Sequence, residues 1–370
     1  RLVFRLWPNG PRTARGGAKL DVTSVRIGAH PADSRRPHAT TLEVPVALAA
    51  NRMVEASVGW RLTLPGPLDD RLSRDGEAIR LGSFFPILAW ERGVGWAQEP
   101  ATSGFAESST PVTADWVASV TVPAGLDVLA TGVPDGNGRW TATAAPDFAM
   151  SVGRFTKATA TVNAPDPVQV TVGVHAGIAE SPQAYLDRVA ASLRDFGSRF
   201  GAYPWPTLSF AITPELPGGI EYPMHVMQGP RTIGRTTPHE VAHQWFYGLV
   251  ANNQGRDPWL DEGLASWGEA RFENVLREFQ RRSIPSGGRG RVAEPMSFWE
   301  SRQSIYYRSV YVQGAQVLAA LGPPDLVDCA LRVYVARSAY RVARPADLLR
   351  AAQAVFPDAA TTFARFGIKP

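Results

Sequence analysis

The stretch TTPHEVAHQWFYG, residues 236–248, sets two histidines four positions apart with a glutamate directly after the first. On a helix, residues i and i+4 share a face. His239 and His243 can then turn imidazole nitrogens toward one ion at the roughly 2.0 to 2.1 Å that zinc prefers. Glu240 lies one step round the helix, where it can take a proton from water beside the ion without itself ligating. For a chain of this composition, chance produces about 0.004 such matches. Downstream, WLDEGLASWGEA supplies Glu262 after eighteen intervening residues, at the start of a second helical stretch. Two histidines and one glutamate leave a coordination position open for water or substrate, the pattern of a catalytic rather than a closed structural site, and hydrolysis is the chemistry implied. Glu269 lies two helical turns beyond Glu262. It can either orient a ligand histidine or stand as a solvated surface carboxylate.

Outward from this core the chain divides in two. Over residues 1–163, short alternating runs are broken by turn signals. In VTADWVASVTV, residues 112–122, Val112, Ala114, Trp116, Ala118, Val120 and Val122 fall on one face, the period-2 signature of a half-buried strand. The turn residues of PDGNGR follow at 134–139. This half reads as an antiparallel β-sandwich. Prolines in NAPDPV, 163–168, mark the division. Residues 164–370 read as a mainly helical domain with a small sheet, so the whole is α+β. Ser181 and Pro182 suit a helix N-cap and first turn, with Tyr185, Val189, Leu193, Phe196 and Phe200 along one stripe. A strand is expected at 207–213, helices at about 237–250 and 259–281, a loop at PSGGRGR, 285–291, and mostly helix from about 297.

Composition excludes several classes. The net charge is +4 and the basic residues are scattered, so nucleic acid is not an expected partner. No run approaches the 18 or so uncharged apolar residues of a membrane span. Cys329 is the sole cysteine, which leaves no internal disulfide or thiolate cluster, and it is expected to pack as a small buried residue. Lys19, Lys157 and Lys369 are the only lysines, an arginine bias that points to a GC-rich bacterial source. The chain begins at Arg1 without a methionine; the expectation is a removed leader and an exported or cell-envelope location over a cytoplasmic one.

HEVAHQWFYGLV followed by DPWLDEGLASW resembles the gluzincin metallopeptidases of the aminopeptidase N family, with Asp261 where that family usually has Asn. GGIEYP, 218–223, is similar to the family's substrate-edge segment, and SVYVQGAQVLAAL, 309–321, contains its Tyr-x-x-Gly pattern. FFPILAW, GVGW, VTVPAGLDVLATG and FAMSVGRF resemble the amino-terminal β domain of short bacterial members. The resemblance implies a β domain followed by a thermolysin-like catalytic domain, and one zinc ion held by His239, His243 and Glu262. Glu240 would be the general base and Tyr311 the oxyanion donor, with Tyr306 and Tyr307 as neighbouring competitors. Glu221 would hold the α-amino group of a peptide substrate, and the backbone at Gly218 and Gly219 would run beside that peptide. The implied activity is removal of amino-terminal residues. The family's second amine anchor is not found, with Gln98, Glu99 and Glu107 only loosely placed for it, and the large carboxy-terminal helical domain of long members is missing. An endopeptidase on the same zinc site is therefore an alternative, and a catalytically silent peptide-binding relative a further one.

Overall fold

The computed structural model describes residues 1–49, 51–67, 71–103 and 112–369. Small antiparallel sheets build the amino-terminal half. One has the order Arg35–His38, Thr41–Val44, Leu2–Arg5, Ile87–Leu88, and another the order His30–Pro31, Lys19–Ile27, Ala56–Thr63. They face each other across Phe4, Leu6, Leu20, Val25, Leu42 and Val44, the sandwich-like packing that the alternating pattern implied. A second cluster, Leu72, Phe84, Ala130, Trp140 and Phe148, joins the remaining sheets. The strand read from residues 112–122 is Ala114–Ser119, with Trp116 and Ala118 on its less exposed face.

The carboxy-terminal half is organised by a five-stranded mixed sheet. Its strands in chain order are β1 (Phe155–Ala164), β2 (Asp166–His175), β3 (Thr207–Ile212), β4 (Gly219–Ile220) and β5 (His225–Gln228). Their spatial order is β1-β2-β3-β5-β4, with β2·β3 and β3·β5 parallel and both outer pairs antiparallel. The expected division at 163 falls at the turn of the β1–β2 hairpin, in which Phe155 pairs with His175 and Ala164 with Asp166. The strand just ahead of that point thus shares a sheet with the strands after it. Helix α1 (Pro182–Phe200) covers the sheet, capped by Ser181 and with its whole predicted stripe buried. It approaches β1 so closely that a Cβ on Gly197 would stand 2.9 Å from the backbone of Ala164.

Two helices carry the motif. Helix α2 (Thr236–Ala242) stops well short of the expected residue 250. Past Tyr247, whose φ is +123°, the amides of Gly248, Leu249 and Val250 bond back five residues to the carbonyls of His243, Gln244 and Trp245 at 2.8 to 3.0 Å. The helical ladder loosens there and the chain leaves as the strand Val250–Asn252. Helix α3 (Trp259–Phe272) ends at a turn with Asn274 at φ +56°, so the expected helix over 259–281 is two pieces, the second being Leu276–Arg281. Beyond residue 296 the chain is mostly helical, as expected, including α4 (Gln313–Ala319). Cys329 departs from its expectation and is exposed. Val327, Leu331 and Tyr334 occupy the inner face of its helix, Pro324–Ser338, and turn Cys329 outward.

Candidate active site

Helix α2 presents His239 and His243 to the first turn of α3, which brings Glu262. Their ligand atoms lie within 4.8 Å of one another, and all three residues are buried. His239 Nε2 is 3.1 Å from Glu262 Oε2 and 3.1 Å from His243 Nε2. The outer nitrogens meet carboxylates: His239 Nδ1 lies 3.3 Å from Glu269 Oε2, and His243 Nδ1 lies 2.6 Å from Asp261 Oδ1. His243 Nδ1 also lies 3.1 Å from the Phe246 carbonyl, so each ring is oriented through Nδ1, with Nε2 directed to the common point. Burial disfavours charge on the rings, but hydrogen bonds to Glu262 and Glu269 outweigh it at His239 and raise it to about 10. His243 is raised well above its ordinary value against the same burial, chiefly by Asp261. Two imidazoles among three carboxylates form an electron-rich, N/O-donor pocket, and that donor set fits a divalent cation such as zinc.

Glu269 is buried, so of its two readings the solvated surface carboxylate does not describe it. Asp261 carries more weight than its substitution for Asn suggested. Placed in the first turn of α3 next to Glu262, it is wholly buried against His243. Its position one residue ahead of a candidate ligand was the available signal.

Glu240 faces the same cleft. Burial pushes it up to about 8 despite the neighbouring His239 and His243, and its Oε2 has no hydrogen-bond partner. Gly219 makes room for it, since a Cβ there would stand 2.4 Å from the Glu240 carboxyl carbon. Gly218 has open space around its Cα. The two glycines were both expected to admit a peptide; the structure gives Gly219, on the edge strand β4, a separate steric reason.

Tyr311 lies in a π-helical turn, Arg308–Val312, that leads into α4. Its hydroxyl donates to Glu262 Oε1 at 2.6 Å, and its ring stacks on His239 at 5.6 Å between centroids. Of its competitors, Tyr306 is buried against Trp299, whereas Tyr307 is half-exposed along the cleft. The glycine of the Tyr-x-x-Gly pattern now has a cause. A Cβ on Gly314 would come within 2.4 Å of the Gly263 Cα, so α3 and α4 cross on two glycines.

Glu221 closes the other end of the cleft, which has a volume of about 430 Å³. Its carboxylate approaches Glu240 and His243, with ligand atoms of the three within 4.8 Å of one another. Gln254 Nε2 donates to Glu221 Oε1 at 3.1 Å, and Arg71 is 3.7 Å from the same oxygen. Neither neighbour was expected, and no motif marked them. Two of the loose candidates for a second anchor lie elsewhere. Gln98 donates to Glu43, while Glu99 accepts from Asn253. Glu107 lies outside the described residues.

A base beside two imidazoles and a carboxylate, on helices either side of an eighteen-residue gap and edged by a β-strand, is the arrangement that the sequence resemblance to gluzincin metallopeptidases implied. Residues 221–365 match the peptidase family M1 domain. The fold is shared with an M1 zinc metallopeptidase from Deinococcus radiodurans, at TM-score 0.71 and 20% identity over 100% of this chain and 87% of that one. A two-domain M1 zinc metallopeptidase bound to L-arginine gives TM-score 0.72 at 20% identity, over 99% of this chain and 86% of that one. Aminopeptidase B from Rattus norvegicus is 31% identical over 85 residues, 21% of this chain. Aminopeptidase Q from Homo sapiens is 28% identical over 156 residues, 37% of this chain. The matched stretches span 13% and 16% of those two curated relatives.

Proposed function

We propose that the chain is a zinc-dependent peptidase that removes amino-terminal residues from peptides. The observation that carries this reading is the proximity of Glu221 to Glu240 and His243. Within one residue, the α-nitrogen and the carbonyl carbon are only about 2.5 Å apart. A carboxylate that holds an ammonium this close to the base therefore sets cleavage after the first residue. The buried site strengthens that pairing, because an ammonium leaving water needs a fixed counter-charge.

Zinc held by His239, His243 and Glu262 would polarise the scissile carbonyl and acidify water. Glu240 takes a proton from the attacking water at its unpartnered Oε2 and passes it to the leaving nitrogen. Tyr311 turns its hydroxyl from Glu262 toward the oxygen on which negative charge develops. Asp261 and Glu269 keep the two imidazoles in register, and the backbone of β4 offers edge hydrogen bonds to an extended substrate. Among the described residues the amine end has Glu221 with Arg71 and Gln254 beside it, which supports a less strict exopeptidase than a doubly anchored one and keeps internal cleavage as the second reading.

Matched peptides with free and N-acetylated termini test this directly. The zinc-loaded protein is expected to cut the free form faster, and Glu221→Ala to cost about 2 to 5 kcal/mol in kcat/KM on that form while barely changing the acetylated one. Equal cleavage of both peptides by the unmutated protein would replace the aminopeptidase reading with the endopeptidase one.

A further inference from the structure

One side chain joins the amine end of the cleft to the metal end. Gln254 is buried, and its Nε2 donates both to Glu221 Oε1 at 3.1 Å and to Asp261 Oδ2 at 2.5 Å. Asp261 Oδ1 in turn stands 2.6 Å from His243 Nδ1 as an ion-pair neighbour, beside the Phe246 carbonyl at 3.1 Å from the same nitrogen. A primary amide nitrogen has two hydrogens, and here each goes to a different buried carboxylate. Neither bond can be re-aimed without disturbing the other. Gln254 lies within a hydrogen-bonded turn: Arg256 N donates to Asn253 Oδ1 at 3.0 Å, Asp257 N to Asn253 O at 2.7 Å, and Asn252 Nδ2 to Asp257 O at 3.1 Å. At Glu221, Gln254 and Arg71 both address Oε1. The amide thus helps to fix how the Glu221 carboxylate is presented to a ligand. At Asp261 it occupies the oxygen that does not face the histidine and so fixes the one that does.

We propose that Gln254 is a positioning residue that couples the substrate-amine carboxylate to the orientation of a metal-ligand histidine. The amine arm rests on the aminopeptidase reading above; the metal arm does not. Both carboxylates would lose their shared donor together if the amide were removed. The stiffness of the ligand set and the presentation of the amine site then vary as one quantity.

The test uses Gln254→Met, which keeps length and approximate volume but donates nothing, with Gln254→Leu as a second variant and melting curves as the check on folding. Zinc affinity is read by competition with a chromophoric chelator, and kcat and KM on an aminoacyl p-nitroanilide at saturating zinc. The expected result is zinc affinity weakened about tenfold or more, as for other groups that orient a ligand histidine. KM is expected to rise about tenfold, with kcat changed less than threefold. The discriminating measurement is the double variant. In an Asp261→Ala background Gln254→Met should weaken zinc no further, and in a Glu221→Ala background it should raise KM no further. Equal effects of Gln254→Met in all backgrounds would reduce the residue to core packing and overturn the proposal. The zinc arm needs no turnover. Should the protein prove indifferent to the substrate's amino terminus, unchanged zinc affinity in Gln254→Met overturns the coupling. A loss that vanishes in the Asp261→Ala background supports it.

Discussion

The chemistry of the site is concentrated in single atoms. Glu240 Oε2 is buried and lacks a partner, while Glu221 and Glu262 each have an oxygen committed to a neighbour. Glu240→Gln keeps the volume and removes the proton acceptor, so zinc content and melting temperature should hold while kcat falls about 10²- to 10⁴-fold. Metal analysis beside steady-state kinetics checks this, and near-normal turnover would refute the base assignment. Tyr311→Phe should lower kcat about 10²- to 10³-fold with KM nearly unchanged, provided its hydroxyl serves the developing charge. At this scale the sequence was most readable, since His239, His243, Glu262 and Glu240 are related by spacing on two helices. Asp261 was visible only as a departure from a pattern. Gln254 and Arg71 were invisible, because they meet Glu221 through tertiary packing, from 33 residues downstream and from the amino-terminal half.

Between elements, the decisive contacts are backbone approaches that only glycine permits. Gly263 and Gly314 let α3 and α4 cross closely enough for Tyr311 to reach Glu262. Gly314→Ala should push the helices apart, lower the melting temperature and reduce kcat about 10²-fold, because displacements near 1 Å at a catalytic group have that cost. A variant with full turnover would separate the helix crossing from catalysis. The elements themselves were partly legible. Helix α1 matched its apolar stripe and its Ser181 cap, since local pattern and tertiary burial agree there. Helix α2 was expected to run to 250, because apolar residues continue through Trp245, Phe246 and Tyr247. Those rings are buried for another reason: the chain turns into a strand through Tyr247 at positive φ, a conformation with no periodicity to read. The π-helical turn holding Tyr311 is equally silent in sequence.

Across the whole molecule, the amino-terminal half supports the segment that carries β4 and Glu221. Arg80 donates to Pro214 O at 2.5 Å, Thr131 Oγ1 to Pro223 O at 2.8 Å, and Ser83 bonds the Tyr222 hydroxyl at 3.1 Å, so residues 214–223 are held from that side. Asp147 belongs to the same seam, accepting from Tyr247 Oη at 3.3 Å, and burial pushes it up to about 7 from an ordinary 3.8. The folded state therefore binds more protons than the unfolded chain between about pH 4 and 7, and this group's contribution to stability falls as pH rises through that window. A shift of about three units corresponds to about 4 kcal/mol. Asp147→Asn should thus be more stable than the parent at pH 8 by up to that amount, with the gap closing toward pH 4, as urea titrations at both pH values can read. No gap at pH 8 would deny Asp147 the raised affinity. The β1–β2 hairpin also bears on how the gene can be cut. A fragment begun at residue 164 keeps the peptidase motifs yet discards β1, baring the ladder edge of β2 and the face of α1 that Gly197 lays against Ala164. Exposed edges of that kind invite strand pairing between molecules, so a fragment that keeps this sheet whole begins before Phe155, at a place no proline announces.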